Sequence, residues 1–247
     1  MQAYPDRELA ADQELHAATW NLGKRVKGPV LSQLEGLCTS EHASLVALQE
    51  CRMSLPVPGK YGGHFGLSFR LGPMGDGHGV GTLCTAEPVE AGVLRARHRE
   101  LGIATPKVAL ATVYPVSDGR QLLCLNVHAL NFDRAGRRFA QQIEDLGQRL
   151  QSHDGPALFC GDFNTWRPER LEALHRVARK LDLDEVLAGT GDGRTGGATP
   201  LGNKLLGIDP SLELDRMFFR GVTLLDCRWL VDCTASDHIP LYARFVF

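Results

Sequence analysis

The chain has 247 residues and a mass of 27.0 kDa, enough for one large α/β or all-β domain or for two small ones. Its formal net charge of -2 argues against a protein that coats nucleic acid, because such binding neutralises many phosphates. Hydrophobic residues at 43% and charged residues at 23% are ordinary for a soluble globular protein, and no apolar run approaches the ~18 residues of a membrane span.

The first twenty residues mix acids and bases, and they contain no apolar core of the kind that a secretory signal needs. The seven cysteines are an odd number without Cys-x-x-Cys spacing, which does not indicate a disulfide framework. Cys124 and Cys160 lie within apolar runs, where a free cysteine behaves as a small hydrophobic residue. We therefore predict a protein of the reducing cytoplasm, with an N-terminal extension at 1–14 and a single domain at 15–247.

The predicted strands are short runs rich in Val, Leu and aromatic residues. They lie at 15–20, 44–49, 79–85, 107–114, 121–127, 156–160, 214–219, 222–230 and 240–247. Apolar residues spaced by three or four predict helices around 30–37, 139–150 and 171–181. Because several strands are apolar on both faces, we predict an α/β fold in which two sheets pack together and helices cover their outer sides.

Two other kinds of segment stand out between these elements. The Gly-rich stretches 62–81 and 189–203 are predicted to be surface loops, either disordered or acting as flaps over a site. Basic residues cluster at 95–99, 134–138 and 167–180. The basic residues either surround one cleft or form solvated helix faces, and the second interpretation is slightly favoured.

Polar side chains stand at the ends of several predicted strands. These strand-end residues are Asn21, Glu50, His128, Asp162 and Asn164. The last strand begins just after Asp237 and His238, and if it runs antiparallel to the others its start lies on the same rim. Asp215 lies in an otherwise apolar run and needs a partner to be tolerated there, for which His238 is our candidate.

The stretch PALFCGDFN at 156–164 places Asp162 and Asn164 on either side of Phe163. In a continuing strand the two polar side chains would point one way and Phe163 the other. The alternative is turn chemistry, since Asp and Asn bond their own backbone where strands end. For this tripeptide alone, the turn is the favoured interpretation.

The side chains at this rim match metal-assisted phosphoryl chemistry. Glu50, Asp237 and Asn21 supply oxygen ligands for a hard cation, and a second acid, two amides and two imidazoles accompany them. Zinc prefers Cys and His, and no activated hydroxyl or thiol stands out as a nucleophile. Each residue alone has an ordinary explanation as a turn, cap or core residue, so the prediction depends on the set.

The ordered motifs of the chain resemble those of the endonuclease/exonuclease/phosphatase superfamily. They are TWN at 19–21, LQE at 48–50, NVHALN at 126–131, GDFN at 161–164, LDRMFFRG at 214–221 and SDH at 236–238. The resemblance spans 15–247, and NVHALNF, GDFNTW and ASDHIPL look most like the bacterial YafD-like branch. It implies a DNase I-like fold, a four-layer α/β sandwich of two packed, mainly antiparallel β-sheets flanked by helices.

The resemblance also implies a metal centre and a water-activating acid. Mg²⁺ or Mn²⁺ would be held mainly by Glu50, with Asn21 and Asp237 close by, and would act as a Lewis acid on the phosphate. Asp162 would orient and deprotonate the attacking water.

Five further residues take roles on the phosphate under the same resemblance. Asn131 and Asn164 would hold phosphate oxygens. His238, oriented by Asp215, would stabilise charge in the transition state, and His128 would assist on the leaving-group side.

Departures from the family pattern disfavour abasic DNA and inositol phosphates as substrates. Abasic-site nucleases of the family tend to carry Tyr in place of His128 and an acid in place of Gly23. Inositol-phosphate phosphatases carry Pro-x-Trp-Cys where this chain has SLEL before Asp215. We expect a metal-dependent phosphodiesterase, most simply a nuclease acting on DNA or RNA. The alternatives are an enzyme acting on a small metabolite or a phospholipid headgroup and, least favoured, a non-catalytic binding module.

Overall fold

The computed structural model describes residues 4–23, 28–70, 75–100, 106–133, 135–189 and 213–247. Its helices are α1 (Gly28–Thr39), α2 (Arg137–Gln151) and α3 (Pro168–Lys180). The strands are β1 (Leu15–Asn21), β2 (Leu45–Arg52), β3 (Gly62–Arg70), β4 (Gly77–Cys84), β5 (Glu90–Arg99), β6 (Pro106–Pro115), β7 (Gln121–His128), β8 (Ala157–Asp162), β9 (Asp184–Glu185), β10 (Asp215–Arg220), β11 (Thr223–Trp229) and β12 (Leu241–Val246).

The strands form two mixed sheets of six strands each in the described chain. The first has the order β11-β12-β1-β2-β4-β3, and the second has the order β5-β6-β7-β8-β10-β9. Each sheet has one parallel pair, β1 with β2 and β7 with β8, while its other pairs are antiparallel. The predicted pair of mainly antiparallel sheets is therefore confirmed.

Alternation along the central strands explains the layers. In β1, Ala17 lies in the core between the sheets, whereas Ala18 lies in the core under α1. In β8, Leu158 faces the core between the sheets and Phe159 faces the core under α2 and α3. A strand that is apolar on both faces can be buried only in the middle of such a stack, so the sequence pattern leads to four layers.

The prediction of a loop at 62–81 is wrong, since β3 and β4 occupy most of this stretch. Glycine allows the two strands to approach closely: a Cβ on Gly79 would lie 1.9 Å from the carbonyl oxygen of Gly66. Glycines that usually break strands thus serve strand pairing here. The other Gly-rich stretch, 189–203, lies outside the described residues except for its first residue.

Two of the three basic clusters differ from the solvated helix faces that the sequence analysis favoured. Residues 95–99 form the end of β5, an edge strand of the second sheet. Arg137 and Arg138 are exposed at the start of α2, as a solvated helix face requires. Arg170 in α3 is only 1% exposed, so its assignment to the solvated cluster at 167–180 is wrong.

Residues 4–14 pack onto the sheets. Leu9 is 5% exposed in the core between the sheets, and its amide donates to the oxygen of Pro115 at 2.8 Å. In the described ranges, no helix is long and apolar enough to cross a membrane.

Candidate active site

Strand direction brings the predicted polar residues to one rim. In the second sheet, β7 ends at His128 beside Asp162 at the end of the parallel strand β8. β10 runs antiparallel to β8, so its first residue, Asp215, lies opposite Asp162. In the first sheet, β12 is antiparallel to β1, so the loop that carries Asp237 precedes β12 at the end where β1 finishes.

A direct contact between the sheets closes the site. The side-chain amide of Asn21 donates to Oδ2 of Asp162 at 2.8 Å. Asp162 is 3% exposed, and burial together with the facing Asp215 raises the pKa of its carboxyl, an effect that His238 and Lys107 partly offset. A carboxyl with a raised pKa that is oriented by hydrogen bonds is suited to accept a proton from water.

His238 and Asp215 form a buried pair. Nδ1 of His238 lies 2.5 Å from Oδ2 of Asp215, which confirms the partner predicted from the sequence. Burial alone would lower the pKa of His238, but the Asp215 carboxylate outweighs it and raises the pKa to about 10. His238 is therefore a cation at neutral pH, and Trp20 Nε1 fixes its main chain by donating to its carbonyl oxygen at 3.0 Å.

The turn after β8 determines the relative positions of Asp162 and Asn164. Asn164 has a left-handed φ of 51°, so the strand does not continue and the extended arrangement of the two side chains is wrong. The amide N–H of Asn164 donates to Oδ1 of Asp162 at 2.9 Å, which is the turn chemistry that the tripeptide favoured. One N–H of the Asn164 side chain donates to the oxygen of Ala129 at 3.0 Å, while Phe163 is buried in the core.

Asn131 lies in the loop that joins β7 to α2. Its Oδ1 accepts a hydrogen bond of 2.9 Å from Trp166 Nε1. This bond identifies the oxygen of the Asn131 amide, so the other end of the amide is the NH₂ group, which donates. Its main-chain N–H donates to Oε1 of Glu100, an acid that is 8% exposed, at 2.8 Å. The loop therefore presents Asn131 in a fixed orientation.

His128 connects Glu50 to the second sheet. Nε2 of His128 lies 3.7 Å from Oε1 of Glu50 and 3.7 Å from Oδ2 of Asp162. Glu50 has a φ of 49° at an irregularity in the pairing of β2 with β4, and such a bulge redirects a side chain toward the rim. The same His128 nitrogen lies 2.5 Å from Nζ of Lys107. Since an ammonium only donates, Nε2 accepts this bond and the His128 ring carries its proton on Nδ1.

The predicted metal ligands Glu50, Asn21 and Asp237 are all oxygen donors, which suits Mg²⁺ or Mn²⁺. Asn21 and Asp237 both lie next to Gly23. The Gly23 amide donates to Asn21 Oδ1 at 2.9 Å, and a Cβ on Gly23 would lie 2.7 Å from Asp237 Oδ1. Among the described residues, no group of three or more His, Cys, Asp or Glu side chains is arranged so that it could hold a metal ion. A hard cation at this rim would therefore need the Asn21 amide oxygen and water as ligands beside the two carboxylates.

Lys107, Glu100 and Arg170 are site residues that the sequence analysis missed. Lys107 was the first residue of a predicted strand, and β6 runs antiparallel to β7, so its start lies on the rim where β7 ends. The rule that placed Asp237 on the rim would also have placed Lys107 there. Arg170 stands four and seven residues before Leu174 and Val177, on the buried face of α3, which was a usable signal.

The chain matches the model of a known protein family. The model of the Endonuclease/Exonuclease/phosphatase family matches residues 18–238. The UPF0294 protein YE0917 of Yersinia enterocolitica is 33% identical over 244 residues, which cover 98% of this chain and 87% of that protein. The family match at 18–238 spans every motif residue named above.

Solved structures share the fold. The endonuclease/exonuclease/phosphatase from Beutenbergia cavernae superimposes with a TM-score of 0.72 at 18% identity, over 95% of this chain and 72% of that chain. D. rerio TDP2, in complex with a single strand DNA product, superimposes with a TM-score of 0.71 at 17% identity, over 96% of this chain and 100% of that chain. These likenesses establish the DNase I-like architecture of the chain.

Proposed function

The chain belongs to the Endonuclease/Exonuclease/phosphatase family, whose members hydrolyse phosphoesters, and we propose that it is a divalent-metal-dependent phosphodiesterase that cleaves nucleic acid. The observation that carries this proposal is the junction of the two sheets at Asp162. Asn21 holds Asp162 from the first sheet at 2.8 Å, and the His238–Asp215 pair stands beside it.

The metal would be held by Glu50, Asn21 and Asp237. When bound, a divalent cation supplies Lewis-acid polarisation of the phosphate and stabilises the charge on the departing oxygen. The left-handed backbone at Glu50 and the close approach of Gly23 to Asp237 are local features that direct these oxygens to a common edge.

Water activation falls to Asp162. Burial and the facing Asp215 raise the pKa of its carboxyl, and hydrogen bonds from the Asn21 side chain and the Asn164 main chain orient it toward an attacking water. His238 is cationic and buried, with its Nδ1 fixed by Asp215, and it would stabilise charge on the phosphate as water attacks.

Phosphate binding and departure of the leaving group would fall to residues beside Asp162. Asn131 and Asn164 offer N–H donors to phosphate oxygens from loops that are fixed by hydrogen bonds. His128 and Lys107 form the leaving-group side, where the ammonium adds positive charge beside the departing oxygen.

A nucleic acid substrate is favoured by what surrounds this rim. Phe132 follows Asn131 and is 58% exposed, which offers a ring on which a base could stack. Arg99 is exposed at the end of β5 and pairs with Pro106, the residue before Lys107. Arg137 is the first residue of α2 and is also exposed. An aromatic ring among cations beside a phosphate site suits an unpaired strand better than a small phosphoester.

A substrate panel tests the proposal. With Mg²⁺, we expect turnover of single-stranded DNA or RNA and of bis(p-nitrophenyl) phosphate, and loss of that turnover on chelation. Glu50→Gln and Asp162→Asn should each lose at least ~10²-fold in kcat. Glu172→Gln, at an exposed acid of α3 paired with Arg179, is the matched control and should keep full activity.

Two outcomes would contradict the proposal. Equal activity of Glu50→Gln and the wild type would remove the metal assignment. Turnover of p-nitrophenyl phosphate or phospholipid without turnover of any polynucleotide would assign a small phosphoester as the substrate instead.

We also propose a reducing, cytoplasmic setting for the protein. All seven cysteines are free thiols, and five of them are buried in the cores. Thiols of this kind persist where disulfides are not formed.

A further inference from the structure

Arg170 is a buried cation next to the site. It is the third residue of α3 and is 1% exposed, which places it among the largest fully buried side chains of the described chain. Burial lowers the pKa of its guanidinium to about 10, with partial compensation from Asp133 and Asp162. The side chain therefore carries a full charge at neutral pH in an interior position.

The guanidinium bonds to main-chain oxygens. Within the described residues, its hydrogen bonds run from Nε to Asn164 at 2.7 Å and from one terminal nitrogen to Asn131 at 3.4 Å and Asp133 at 3.3 Å. The other terminal nitrogen donates to the oxygen of Leu130. One side chain thus ties the turn after β8 to the loop after β7.

The surroundings of the charge are aromatic. The guanidinium carbon lies 4.1 Å from the centre of the Phe139 ring and 5.2 Å from that of Trp166. Trp166 in turn donates to the side-chain oxygen of Asn131. Arg170 therefore supports both the main chain and, through Trp166, the side chain of Asn131.

Stability alone does not account for this arrangement. A charge taken out of water without a hydrogen-bonded carboxylate partner is a poor source of stability, and an apolar side chain could fill the same space. The rigid guanidinium group has a specific use here, because its hydrogen bonds hold the carbonyl groups of two separate loops at a fixed distance from each other. Those loops carry the two amides assigned to the phosphate.

We propose that Arg170 is a positioning residue that sets the separation of Asn131 and Asn164 and so shapes the phosphate site. The inference rests on the proposed function in one respect, the binding of phosphate oxygens by these two amides. Arg170 itself touches no reacting atom.

The test compares Arg170→Met and Arg170→Lys with a matched control, Arg220→Met. Arg220 also donates to main-chain oxygens, those of Leu150, His153 and Leu181, at the far end of β10. We expect Arg170→Met to lower kcat on bis(p-nitrophenyl) phosphate by about 10²-fold with the fold retained, since a small misplacement of binding groups has effects of that size. Arg220→Met should lower the melting temperature and leave kcat within about twofold of the wild type.

Two further readouts separate positioning from general stability. Amide hydrogen exchange in 130–133 should accelerate in Arg170→Met and stay unchanged in Arg220→Met. Guanidinium at millimolar concentration should restore part of the activity of Arg170→Ala, because it can reoccupy the position between Phe139 and Trp166. If Arg170→Met does not fold, Arg170→Lys is measured in the same way, since it keeps the charge but not the fork.

The inference is overturned if Arg170→Met and Arg170→Lys keep wild-type kcat, or if exchange in 130–133 is unchanged. If the wild type has no phosphoesterase activity, the proposed function fails, but the exchange measurement still decides whether Arg170 ties the two loops together.

Discussion

Lys107 shows how one side chain alters the expected chemistry of a residue beside it. His128 alone would be a general acid on the leaving-group side, but its Nε2 lies 2.5 Å from the Lys107 ammonium and accepts from it. Under the proposed function, Lys107 would then carry the proton on the leaving-group side. Glu100, 3.8 Å from the same ammonium, keeps this charge compensated in a position that is 8% exposed.

Lys107→Met should therefore lower kcat by about 10²-fold, because it removes a charge aimed at the departing oxygen. The loss of kcat should be smaller for substrates whose leaving groups have a lower pKa, because the charge on their departing oxygen needs less stabilisation. Lys180→Met, at an exposed lysine that ends α3, is the control and should behave as the wild type. A kcat for Lys107→Met that matches this control would exclude Lys107 from the reaction.

Gly23 is a second residue whose role is clear only in the folded chain. Its φ is 59°, and a Cβ there would lie 2.7 Å from the Asp237 carboxylate. A side chain at position 23 would therefore have to displace the Asp237 carboxylate in this chain. The departure at Gly23 is thus linked to how closely Asp237 approaches Asn21.

At the scale of elements, the two sheets are joined under the rim by polar side chains. Gln49 in β2 donates from Nε2 to Oδ1 of Asn126 in β7 at 2.8 Å, across the space between the sheets. Asn126 donates in turn to the oxygens of Leu48 at 3.1 Å and Gly81 at 2.8 Å. This buried network fixes the first sheet against the second directly below the site.

Asn126→Leu should destabilise the protein by about 2–3 kcal/mol, because it removes one acceptor of the Gln49 amide and the side-chain donor to two main-chain carbonyls in the interior. Urea unfolding followed by circular dichroism measures the change. A loss below about 0.5 kcal/mol would show that the two sheets are not held together by this network.

At the scale of the whole molecule, the architecture and most of the rim could be predicted because both depend on strand direction. Runs that were apolar on both faces implied internal strands, and antiparallel return of the last strand placed Asp237 and His238 on the same rim as Asp162. The pairing of β3 with β4 was missed, because glycine is typical of loops and the close backbone approach of Gly79 to Gly66 exists only once the two strands pair. Arg170 was missed because charge was given more weight than its place on the buried face of α3.

The burial of thiols gives a prediction for the whole fold. Cys38, Cys51, Cys84, Cys124 and Cys160 are buried, while Cys227 and Cys233 are partly exposed. Burial raises the pKa of Cys51 and of Cys84 to about 12, so neither is a thiolate near pH 8.

An aromatic disulfide reagent at pH 8 should react quickly with no more than two of the seven thiols in the native protein and with all seven after unfolding. Cys227→Ser combined with Cys233→Ser should abolish the fast phase. Rapid reaction of a third thiol in the native protein would contradict the cores described above.

The proposed function requires that Glu50, Asn21 and Asp237 hold a divalent cation at the rim that also carries Asp162. The most direct test is an anomalous difference map from crystals of the protein grown with MnCl₂. We predict a peak bounded by the carboxylates of Glu50 and Asp237 and missing from crystals of Glu50→Gln. A peak elsewhere, with both carboxylates uncoordinated at saturating Mn²⁺, would contradict this account of the site.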